Sequence, residues 1–132
     1  MWKDKKAEKL FGRIFSVDWA NIINCTPHPC VVYSDSKVIA TIEASGILPR
    51  VSVCEEVHPQ NSRFPFPVVK SVLGKVENLP ENDDGDKIFI VSRMVLDAAP
   101  NDRKDLIAPD TGRSAVRDEK GHILGVTQFV GR

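Results

Sequence analysis

A chain of 132 residues has the length of one ordinary domain. Apolar residues make up 42% and charged residues 27%, and the formal net charge is zero, so the chain has a globular make-up and lacks the cationic excess of a general nucleic-acid binder. No apolar run approaches the roughly 20 residues that cross a bilayer, and the N-terminus has no long apolar core with a small-residue cleavage site, so neither a membrane span nor a signal peptide is expected.

The first 20 residues read differently from the rest. Ala7, Leu10, Phe11, Ile14 and Phe15 recur at helical spacing, with Lys3, Lys5, Lys6, Lys9 and Arg13 between them. This pattern predicts an amphipathic helix from about Lys3 to Ser16, or an extension, ahead of a single β-rich domain over 21–132. Its apolar stripe suits packing on the domain or on a partner subunit.

From Asn21 the period shortens. Thr26-Pro27-His28-Pro29 cannot be helical, because each proline lacks an amide donor and pushes its predecessor to extended angles. Cys30 to Tyr33 and Val38 to Ile42 then read as a hairpin around Ser34 to Lys37. Arg50 to Val57 alternates, with Val51 and Val53 on one face and Ser52 and Cys54 on the other. A proline-rich loop over Pro59 to Pro67 leads to a further extended run through Val69, Val72 and Val76, where Gly74 suggests a bulge. Leu79 to Asp86 is an acidic loop.

The stretch Lys87 to Arg113 organises the expected fold. Ile88 to Val91 is a buried strand, Ser92 is a helix cap, and a short helix follows up to Pro100. After the charged loop Asn101 to Asp105, Leu106-Ile107-Ala108 is a second apolar step, and Pro109 to Arg113 is a polar turn. Ser114 to Arg117 and His122 to Val130 are expected to form a last hairpin around Asp118 to Gly121. The predicted class is β-rich α+β: a mainly antiparallel curled sheet or small barrel with an N-terminal helix and one internal helix.

Several segments carry a resemblance: Asn24-Cys25-Thr26-Pro27-His28-Pro29, Ile90-Val91-Ser92-Arg93, Asp102 through Gly112, and Ala115 through Gly121. On these the chain from Asn21 onward resembles a small domain family of bacterial and phage genomes that has no established activity. The resemblance implies a shape and a genomic setting, and it places Cys25 and Cys30 where aliphatic residues are usual, as core fillers.

The three cysteines, Cys25, Cys30 and Cys54, are odd in number and read as free thiols of a reducing cytoplasm. As zinc ligands with His28 and His58 they have the wrong spacing, so no metal and no cofactor is expected. His28, held between prolines, is the one candidate general base. Asp110-Thr111-Gly112 matches the aspartic-protease triplet, yet Pro109 stands where an apolar strand residue leads into that turn, and a plain polar turn is the better reading.

The charged set is the strongest binding signal. Ser92 and Arg93 open the internal helix, where free amides favour an anion, and Arg103, Asp110, Thr111, Arg113 and Arg117 follow closely in sequence. The competing reading is mutual surface ion pairing. The leading functional expectation is a non-catalytic protein, oligomeric among the options, that captures a small anionic molecule of nucleotide-like kind. Two alternatives stand beside it: a hydrolase using His28 with an aspartate, and a structural or interaction protein such as a virion component or adaptor.

Overall fold

A computed structural model describes residues 17–58 and 63–132. The expected N-terminal helix, Lys3 to Ser16, lies outside these residues. The described chain opens with a 3-10 turn, Trp19–Asn21, where the Asp18 carboxylate accepts from Ala20 N (3.1 Å) and the Asp18 carbonyl from Asn21 N (3.0 Å).

The strands are β1 (Ile22–Asn24), β2 (Cys30–Ser34), β3 (Lys37–Ile42), β4 (Arg50–Val57), β5 (Val69–Glu77), β6 (Ile88–Ile90), β7 (Leu106–Pro109), β8 (Val116–Arg117), β9 (Ile123–Gly125) and β10 (Phe129–Val130). One helix, α1 (Arg93–Ala98), joins β6 to β7. The protein is β-rich, as expected, but the strands form several small sheets and, among the described residues, no closed barrel. A four-stranded sheet has the order β1-β6-β7-β10, and β2-β3, β4-β5 and β8-β9 are separate two-stranded sheets.

The central sheet departs from the antiparallel expectation. β1 and β7 both run parallel to β6, and only β10 is antiparallel to its neighbour β7. The apolar run Ile88–Ile90 lies between two parallel strands, and Phe89, Ile90 and Val91 are at most 2% exposed. A strand buried on both faces reads as a continuous apolar run and carries no signal of its partners' direction. The last segment also differs: Ile123–Gly125 pairs with β8, while Phe129–Val130 crosses to β7 and joins another sheet.

Alternation along the central strands gives the sheet two apolar faces. Phe89, Leu106 and Ala108 point to one face, where Val95, Leu96 and Ala99 of the α1 region pack on them together with Val51 and Val76 from the base of the β4–β5 ribbon. Ile22, Ile88, Ile90 and Ile107 share the other face with the inward residues Val32 and Ile39 of the β2–β3 hairpin. That hairpin turns through Asp35 and Ser36, both at positive φ (53° and 63°), the paired left-handed geometry that matches the twist of a two-residue hairpin. In the β4–β5 ribbon the register steps from Val51↔Val76 to Val53↔Leu73. Gly74 and Lys75 thus oppose Ser52 alone, a bulge at the expected glycine.

Side chains pin the loops. Ser92 Oγ accepts from Val95 N at 3.3 Å and caps α1. In the acidic loop, Asn82 Nδ2 donates to the Lys87 carbonyl at 2.7 Å and Asn82 Oδ1 accepts from Lys87 N at 3.2 Å.

Candidate functional site: a cleft beside the Asn24 loop

The loop after β1 is built on a buried amide. Asn24 is 1% exposed. Its Nδ2 donates to the carbonyls of His28 and Ile42, both at 2.9 Å, and its Oδ1 accepts from Thr26 N at 3.0 Å. Thr26 Oγ1 lies 2.7 Å from Asn24 Oδ1 and 3.0 Å from the His28 carbonyl oxygen, and its single proton serves one of them at a time. Pro27 and Pro29 offer no amide hydrogens, so the loop takes its hydrogen bonds from the Asn24 and Thr26 side chains. The result is a rigid platform that presents His28 at the surface. The imidazole has no hydrogen-bond partner among the described residues.

Beside this platform lies a half-open cleft of about 360 Å³. Thr26 and His28 form one part of its wall, the start of β2 another, and Pro109 with Thr111 at the end of β7 a third. Ile123, Leu124 and Gly125 of β9 complete it. β9 is held there by a two-way bond between strands: Tyr33 N donates to the Val126 carbonyl at 2.8 Å and Val126 N to the Val31 carbonyl at 2.9 Å. Gly125 lets the two chains approach this closely. A Cβ at that position would stand 2.5 Å from both the Val31 carbonyl oxygen and Tyr33 Cε1.

The lining is mainly apolar, and Ile123 and Leu124 remain 43% and 47% exposed within it. Cys30 borders the cleft, but its thiol is buried, and burial pushes its pKa up. That keeps it protonated and a poor nucleophile. Among the described residues no carboxylate lines the cleft.

Of the residues marked by sequence, His28 and Thr111 meet here and most of the others do not. Arg117 reaches the cleft indirectly, donating from Nη2 to the Thr111 carbonyl (3.1 Å) and from Nη1 to the Gly121 carbonyl (2.8 Å). Asp110 turns away from the cleft. Its carboxylate accepts from Gln128 Nε2 at 2.7 Å and from Gly112 N at 3.0 Å, and these bonds, with the nearby Arg93 charge, hold its pKa below the ordinary range. The Asp-Thr-Gly triplet is therefore a side-chain-closed turn.

The arginines do not converge over the helix start. Ser92 caps α1, and Arg93 pairs with Asp97 one turn on (3.3 Å), with both side chains more than half exposed. Arg103 forks onto Asp105 through Nε and Nη2, each at 3.0 Å, and also donates to the Pro80 carbonyl at 2.8 Å. Its guanidinium sits 5.9 Å from the Phe89 ring centre, which makes it a structural clamp. Arg113 is exposed and has no ion pair or hydrogen bond among the described residues. No group of three or more His, Cys, Asp and Glu side chains among the described residues could hold a metal ion.

Sequence reading missed Asn24 and the β9 wall. The Asn24-x-Thr26 spacing is the available signal for the first, since a side-chain amide that bonds two residues on is a known turn device. Nothing local marks Ile123 and Leu124, which read as ordinary strand residues. No family model, curated protein or solved structure matches this chain.

Proposed function

We propose that the chain is a non-catalytic protein that binds a small molecule in the cleft between the Asn24 loop and β9. The observation that carries this reading is the pairing of an open apolar floor, Ile123 and Leu124, with a few fixed polar groups, Thr26, His28 and Thr111, in one concavity. Ligand sites have this composition and a volume of roughly 300–1,000 Å³. Apolar side chains left open in a cleft are also unfavourable unless something covers them.

The ligand class that suits the cleft has a flat apolar part for the β9 wall and an acidic or acceptor group for His28 and the Thr111 hydroxyl, while Thr26, whose proton is held within the loop, can only accept. The small anionic, nucleotide-like molecule expected from the sequence belongs to this class. The arginine set enters this reading only through Arg117, which holds the Thr111 backbone in place.

Isothermal titration calorimetry of the full chain against nucleoside monophosphates and aromatic carboxylates, with amide shift mapping by NMR, tests the proposal. Saturable binding with shifts at Thr111, Leu124 and Gly125, weakened by Leu124→Asp and His28→Ala, is expected. No binding by either class, or shifts confined to the Arg103 region, overturns it. Turnover of a bound nucleotide that is abolished by His28→Ala supports a hydrolase instead.

A further inference from the structure

The second face of the central sheet carries a separate groove of about 230 Å³ between the sheet and the β2–β3 hairpin, and the described residues that line it are all apolar. A cavity of roughly 150 Å³ already holds a benzene ring. This one has room for more than one large side chain, and its described lining offers water no polar side chain. Val17 and Trp19, the first described residues, line it and remain 37% and 43% exposed. The chain therefore enters the described structure at the groove itself.

We infer that the groove is filled by this protein's own N-terminal segment, through the apolar side chains of Leu10, Phe11 and Ile14. Residues 1–16 enter the argument through their sequence and their point of attachment. The distance is short: Ile14 is three residues from Val17, at most about 11 Å of extended chain, and Leu10 is about 10 Å away along a helical path. The composition also fits. The apolar residues at positions 7, 10, 11, 14 and 15 fall on one helical stripe, and Lys5, Lys6, Lys9 and Arg13 fall outside it, so from Ala7 onward one face can meet the groove while these charges stay in water. Tethering gives the segment a high effective concentration that a free apolar partner lacks.

The test uses the full chain with Trp2→Phe, which leaves Trp19 as the one tryptophan. Methyl Overhauser contacts from Leu10 or Ile14 to Ile39 or Ile107, independent of protein concentration, are expected. Leu10→Glu combined with Ile14→Glu should raise acrylamide quenching of Trp19 severalfold and shift its emission to the red, while Lys9→Glu should leave both unchanged. Absence of those contacts in the unsubstituted segment overturns the inference, whether or not the double variant folds. So does Trp19 shielding that grows with concentration in step with a dimer in sedimentation, because a second copy is then the occupant.

Discussion

The side-chain amide of Asn24 donates to the backbone carbonyl of His28 at 2.9 Å, across a loop whose two prolines cannot supply that bond themselves. A buried residue at the end of β1 thereby sets the position of an exposed residue at the cleft. The same amide reaches the Ile42 carbonyl on β3, so one side chain ties the central sheet, the cleft loop and the β2–β3 hairpin together.

Asn24→Ala removes a side-chain donor from the Ile42 carbonyl, which keeps its place opposite Cys30 in the β2–β3 ladder, and leaves the Thr26 amide without its partner in a half-buried setting. It should cost roughly 1–3 kcal/mol in urea denaturation, the range for one stranded group. Asn24→Asp should not rescue it, because a carboxylate cannot donate to the two carbonyls. A loss below about 0.5 kcal/mol for Asn24→Ala, the range of an ordinary surface change, would count against this role.

The Arg103–Asp105 clamp predicts an acid-sensitive component of stability. Hydrogen bonding from Arg103, with a smaller contribution from Asn82, lowers the Asp105 pKa against the opposing effect of burial. A carboxylate with a depressed folded-state pKa stabilises fully above its unfolded value of about 3.9 and loses that contribution as pH falls through the lower folded value. Asp105→Asn should reduce stability by about 1.5–3 kcal/mol at neutral pH, the range for hydrogen bonds to charged groups. It should also flatten the acid limb of a stability-against-pH curve measured by urea denaturation. An unchanged acid limb in the variant would assign the acid sensitivity to other carboxylates.

Gly125→Ala places a methyl group against a backbone carbonyl and the Tyr33 ring at 2.5 Å. Strand β2 and the β9 exit must separate to admit it, at a cost of about 1–3 kcal/mol. Because β9 is a cleft wall, ligand shifts at Thr111 and Leu124 should weaken in the same variant. Equal stability and unchanged binding would show that the two strands are not held as closely as described.

Thiol reactivity should separate the cysteines. Cys54 is exposed on β4, whereas Cys25 and Cys30 are buried and burial raises the pKa of both thiols, with the Ser45 hydrogen bond partly offsetting this at Cys25. A disulfide-exchange reagent should label Cys54 alone in the native protein and all three cysteines in denaturant. Rapid native labelling of Cys25 or Cys30 would contradict a closed core at the start of the cleft.

Local rules in the sequence account for much of the architecture. The Ser92 cap and Pro100 bracket α1, the Asp35-Ser36 pair marks the β2–β3 turn, and Gly74 marks the ribbon bulge. Each is a short-range effect of backbone geometry or of one side chain on its own neighbours. The candidate site was legible only in part. His28 and Thr111 stand in the cleft, but of the arginines chosen by their nearness in sequence, Arg93 and Arg103 are in separate ion pairs, Arg117 holds two carbonyls, and Arg113 has no such partner among the described residues. Sequence proximity said nothing about direction: Arg93 lies on an exposed helix face, and Arg103 turns toward Asp105 and Pro80.

By itself, the amino-acid order determined where most strands, turns and the short helix lie, and that the chain is β-rich, but not that the stretch from His122 to Val130 divides into two strands. The tertiary structure decided that β1 and β7 flank β6 in parallel, that Phe129–Val130 leaves its hairpin for the central sheet, and that β9 closes a cleft over the Asn24 loop. The reason is the range of the forces involved. Alternation and capping act over a few residues. Which apolar faces meet depends on burying Phe89, Leu96 and Leu106 from distant segments together, and no single segment encodes that choice.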